Sequence, residues 1–145
     1  MSILQTTTTS FKVQLLQGVH NFSADTFKIA LYTAAADLNA DTTVYSTTNE
    51  ITGTGYTAGG NTLVVNPTPT YGVGTNNLAV AYISFNNTSW TSASFTTRAA
   101  LIYNTSQSNA SVAVLDFGAD KTASNSTFSI AFPTADANSA IIRIA

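Results

Sequence analysis

Residues 53–65 read Gly53-Thr54-Gly55-Tyr56-Thr57-Ala58-Gly59-Gly60-Asn61-Thr62-Leu63-Val64-Val65, and the first six satisfy the written dinucleotide pattern G-x-G-x-x-G/A. The pattern carries chemistry only when it follows a strand and opens a helix whose N-terminus faces the phosphates. Here two glycines and an asparagine follow Ala58, and then a β-branched run. Those are poor helix formers. No Asp or Glu lies about twenty residues further on, near Val73 to Leu78, to hold a ribose, and no Gly-Lys-Ser/Thr supplies a phosphate loop. The stretch is therefore a connection. Gly59-Gly60 or Gly60-Asn61 supplies the positive φ of a hairpin turn, and Tyr56 is expected on a mobile or partner-packed loop.

With the α/β reading gone, the flanking segments set the class. One helix is predicted over residues 10–19, capped by Ser10 and stopped by Gly18, with Phe11, Leu15 and Val19 on one face and Leu16 beside them. After Asp25 the apolar period becomes two. Thr26–Thr33 reads as a half-buried strand, and Ala79–Phe85, apolar on both faces, as a central one. Phe95–Asn104, Val112–Gly118, Phe128–Phe132 and Ala140–Ala145 read as four more. Shorter strands are expected at Val44–Tyr45, Glu50–Thr52 and Thr62–Val65. Turn signals separate them, among them Asn66-Pro67, Asn76-Asn77, Asn86-Asn87 and Ser108-Asn109. From Thr62 on, no helical crossover intervenes, so neighbouring strands are expected to be antiparallel. The prediction is an all-β antiparallel β-sandwich of the jelly-roll or Greek-key type with one short N-terminal helix. It divides into an N-terminal arm, residues 1–10, and one β-sandwich domain, residues 11–145.

Charge is sparse. Lys, Arg, Asp and Glu make up 8% of the 145 residues, against about 25% in ordinary soluble domains. The five basic residues are scattered, which speaks against nucleic acid as a partner. No apolar run approaches the roughly 20 residues of a membrane-spanning helix, and no signal peptide is visible. The absence of cysteine removes disulfides and thiolate chemistry. Polarity comes from Ser, Thr and Asn, giving a weakly self-repelling surface suited to packing against copies or a partner.

Candidate chemistry is thin. Asp37-Leu38-Asn39-Ala40-Asp41 begins like a calcium loop, but Thr42 stands where glycine belongs and Thr48 where the closing Glu belongs, so local turns are expected. His20, the single histidine, follows the helix end and has no serine elbow or cysteine to work with, so it is expected to cap or pack. Arg98 and Asp116, both within strands, are a conceivable pair. No cofactor or metal is expected, and no hydrolase constellation is visible. Tyr45, Tyr56, Tyr71 and Trp90 fall near loops and could anchor a protein or stack on sugar.

The segments FKVQLLQGVHNF (residues 11–22), DTFKIALYT (25–33) and GTGYTAGG (53–60) resemble the opening of small proteins encoded by tailed bacteriophages. Those pair a helix reading F-K-x-x-L-L-x-G-x-H-x-F with a strand reading D-T-x-K-I-A-L-Y. The resemblance covers about residues 11–60 and brings no catalytic residues. It implies a non-enzymatic virion structural role, with capsid decoration (cement) the commonest that fits and a tail or fibre component also open. The implied partner is the major capsid protein or another virion protein, the implied place the capsid surface, and the implied assembly a homotrimer. The residues expected at the interface are Thr6, Thr7, Thr8 and Thr9 of a polar arm free to extend onto a neighbour, together with Tyr56. Tyr71 and Trp90 would serve a carbohydrate-binding alternative.

Overall fold

The computed structural model describes residues 2–145, so Met1 of the expected arm lies outside the described residues. Within them run β1 (Thr6–Thr7), α1 (Thr9–Leu16), β2 (Phe27–Tyr32), β3 (Asn61–Leu63), β4 (Thr70–Val73), β5 (Ala79–Ile83), β6 (Thr88–Asn104), β7 (Ala110–Ile130) and β8 (Ile142–Ile144). Strands take 47% of the chain and helical turns 8%, which makes it an all-β protein with one short N-terminal helix. The strands form two antiparallel sheets, β1-β7-β6-β2-β3 and β4-β5-β8. After β3 the chain builds the second sheet's β4 and β5 and then returns as β6 on the far side of β2.

The larger sheet is covered on both faces. On one, Phe27, Ile29 and Leu31 of β2 join Ala100, Ile102 and Val112 in the main core. Phe22 stacks on Phe27 at 4.5 Å between centroids, and Ile83 and Ile142 reach in from the smaller sheet. On the other face, Ala30, Tyr32, Leu101, Tyr103 and Val114 are capped by Ala36, Leu38 and Tyr45 from the 33–50 connection and by Ile3. Each fully buried large apolar side chain contributes about 1.5–3 kcal/mol. β2, expected to be half-buried, is therefore enclosed on both sides apart from Lys28. β5, expected to be apolar on two covered faces, is central in its sheet but leaves Ala79 and Ala81 exposed.

Helix α1 starts earlier than expected and ends sooner. Thr8, not Ser10, is the N-cap, its hydroxyl accepting from the Phe11 N–H at 3.3 Å. Gly18, at φ +72°, follows the C-cap Gln17. Phe11 is buried and Leu15 half-buried, but Leu16 points to solvent, 91% exposed. The two strands expected at Val112–Gly118 and Phe128–Phe132 are one strand, β7, paired along its length with β6. Register shifts at four places bend the ribbon, as β-bulges do. The short strands expected at 44–45 and 50–52 reduce to single bridges, Val44 to Ala110 and Glu50 to Tyr32.

The arm is part of the sheet. Thr6 and Thr7 pair with Val114 and Ala113, and the Leu4 N–H donates to the Leu38 carbonyl at 2.9 Å. Thr8 is fully buried with its hydroxyl 2.9 Å from that of Ser111. The expectation that this segment cannot bury itself is corrected: threonine's β-branched side chain suits an edge strand, and Ser111 gives Thr8 a partner.

Candidate functional site

The glycine connection is held by one acid. Glu50 Oε1 accepts from the Tyr56 hydroxyl at 2.6 Å and from the Gly59 N–H at 2.7 Å, and Oε2 accepts from the Tyr45 hydroxyl at 2.7 Å. The Tyr56 oxygen in turn accepts from the Leu31 N–H of β2 at 2.9 Å, and Tyr103 donates to the Gly59 carbonyl at 2.7 Å. Tyr45 stacks on Tyr103 with centroids 4.5 Å apart. Burial and then the hydrogen bond to Glu50 push the Tyr45 and Tyr56 phenols up, while burial and the Glu50 charge raise Tyr32 and carry Tyr103 to about 12. All four therefore stay protonated as donors near neutrality. Tyr56 is thus a strut inside the fold, not a ring on a mobile or partner-packed loop. In the sequence Glu50 shows only as the start of the short strand expected at Glu50–Thr52; its role depends on strand neighbours that no local pattern encodes.

His20 is packed. Its ring lies 5.0 Å from Phe11, Nδ1 accepts from the Asn104 amide at 3.0 Å, and Nε2 therefore carries the proton donated to Gln14 Oε1 at 2.9 Å. Asn104 also donates to Asp25 Oδ2 at 2.8 Å. Burial lowers the His20 pKa, and the Asp25 charge opposes that shift only in part. Burial pushes the Asp25 carboxyl up, but hydrogen bonds from Asn104, the Asn21 N–H and Gln107 outweigh it and hold it below the usual carboxylate range. The arrangement ties α1's exit to β6.

In the calcium-like stretch, Asn39 accepts from the Asp41 N–H at 2.8 Å and donates to Asp37 Oδ1 at 3.0 Å, the local turns expected of Asp and Asn. Arg98 does reach Asp116, Nε to Oδ1 at 3.3 Å, with both side chains partly exposed. Trp90 is 4% exposed among Tyr56, Phe95 and Phe128. Its indole N–H is the one buried side-chain polar atom without a hydrogen-bond partner among the described residues. That corrects the expectation that it could present a ring at the surface.

Tyr71, expected near a loop, lies on strand β4 and is 75% exposed. Register places it across from Ala81 of β5, which sits across from Ile144 of β8; Val73 pairs with Ala79. All five are exposed and share one face of the smaller sheet, with Val73 at 65% and Ile144 at 55%. Beside this face a cavity of about 320 Å³ is walled by Leu15, Phe22, Pro69, Ile83 and Ile142. Exposed Val13 and Leu16 on α1 add further apolar surface. An apolar ladder left in water marks a binding surface more often than an isolated exposed leucine does. It is legible only in part: Ile142 and Ile144 alternate with Arg143 in the sequence, but the pairing that sets Tyr71 beside Ile144 is tertiary.

No protein-family model, curated protein or solved structure matches this chain.

Proposed function

We propose that the chain is a non-enzymatic structural component of a bacteriophage particle, a decoration protein that docks on the outer shell and stabilises it. The observation that carries this reading is the exposed Tyr71–Ala81–Ile144 ladder on a chain with 8% charged residues. An exposed apolar ladder on a sparsely charged chain suits contact with protein. Glu50 and His20 are consumed internally: Glu50 by two tyrosines and a backbone N–H, His20 by Gln14 and Asn104. Modest affinity per copy suffices, because neighbouring sites on a shell multiply it. A trimer matches the symmetric positions such modules occupy. The sugar-binding alternative keeps Tyr71 alone as a platform, since Trp90 is enclosed.

Co-sedimentation with assembled empty shells of the encoding phage tests the proposal. The protein is expected to pellet with shells, and a Tyr71→Asp/Val73→Asp variant to bind about tenfold more weakly at unchanged melting temperature. Shells that leave the parent protein in the supernatant would overturn the decoration role.

A further inference from the structure

Strand β8 hydrogen-bonds only to β5, and its other edge has no backbone partner among the described residues. That edge faces a gap of about 400 Å³ whose far wall is Thr7, Phe11, Lys12 and Leu15 and whose near wall includes Ile142 and Arg143. An unpaired edge beside an apolar trough is the geometry of strand addition, in which main-chain bonds give affinity and alternate side chains fill the trough.

We infer that the β8 edge receives an extended segment of a partner protein in which apolar residues alternate with carboxylates. Charge selects this occupant. Lys12 and Arg143, two of the chain's five basic residues, line the gap; both are exposed, and no Asp or Glu lines it. Among the described residues neither makes an ion pair. Charge also argues against a second copy. Antiparallel pairing of β8 with itself about its middle residue would set Arg143 opposite Arg143, and like charges directly opposite one another destabilise a strand pair. A charged residue on an edge is how sheets discourage self-association. An acidic segment turns the same arginine into an attraction.

The docking role proposed above is presupposed, but the two can fail separately. The probe is a fluorescein-labelled hexapeptide of alternating valine and glutamate, read by anisotropy at low salt, with a valine–lysine peptide as its counterpart. The acidic peptide is expected to bind at least about tenfold tighter than the basic one. A Lys12→Glu/Arg143→Glu variant, altered only at exposed side chains, is expected to invert that preference. Hydrogen exchange at Ile142–Ile144 is expected to slow with the acidic peptide bound. Equal affinity for both peptides, a preference untouched by the charge reversal, or no binding at about 1 mM peptide would each overturn the inference. Shells that ignore the protein while the peptide binds would sink the virion role and leave the edge site standing.

Discussion

Two glycines share one backbone angle and differ in everything around it. Gly18 and Gly60 both sit at φ +72°, where a side chain costs about 1 kcal/mol in backbone energy. A Cβ on Gly18 would meet nothing within 4 Å. A Cβ on Gly60 would land on the Ile29 carbonyl, 2.6 Å from its carbon and 2.8 Å from Ala30 Cα. That is the backbone of β2, paired on both sides by β6 and β3, and it cannot swing aside. Gly18→Ala is therefore expected to cost about 1 kcal/mol and Gly60→Ala at least about 3 kcal/mol in denaturant unfolding. Equal costs would mean that the close approach of the glycine connection to β2 is wrong. The need for glycine in GTGYTAGGN was legible, because neither a helix nor a phosphate site fitted its surroundings. The reason Gly60 is irreplaceable was not: Ile29 lies 31 positions away in sequence.

At the scale of elements, what the sequence reveals depends on what holds the element. β2 and the buried half of β6 announce themselves, because their apolar side chains follow the strand period. The middle of β7, Ala119–Thr127, does not; of those residues only Ala123 is buried, and the rest of the strand there is held by its ladder to β6. The arm fails to show for a related reason. Its burial falls on threonine, a residue that looks solvated until Ser111 is found beside it. Thr8 has two jobs, capping α1 and joining the buried hydroxyl pair with Ser111. Loss of a cap costs about 1 kcal/mol and loss of a buried hydrogen bond about as much again, so Thr8→Ala is expected to cost about 2 kcal/mol. Deleting residues 2–9 removes that cap together with β1, and is expected to lower the denaturation midpoint by more than the point change does. A truncated protein with an unaltered midpoint would restore the picture of a free arm.

Across the whole molecule, buried titratable groups predict a stability plateau with two falling limbs. His20 is held neutral in the fold, below its ordinary value of about 6.5. Between its folded pKa and 6.5 the unfolded chain binds the proton and the folded one does not. Stability therefore rises with pH across that interval and is lost as pH falls below about 6.5. Protonating Nδ1 would also set a new donor against the Asn104 amide that already donates to it. Asp25, held below the carboxylate range, adds a second loss in stronger acid, as pH drops through about 3.9. The alkaline limb has the opposite sign. Tyr32, Tyr45, Tyr56 and Tyr103 are all raised, so above about pH 10 the unfolded chain gives up protons the folded chain retains, and stability falls as pH rises. Urea unfolding from pH 5 to 11 should trace both limbs. His20→Gln is expected to flatten the segment between pH 5 and 7 while the descent above pH 10 persists. A parent protein whose unfolding free energy is level from pH 7 to 5 would place His20 in contact with water and undo the Gln14–His20–Asn104 linkage between α1 and β6.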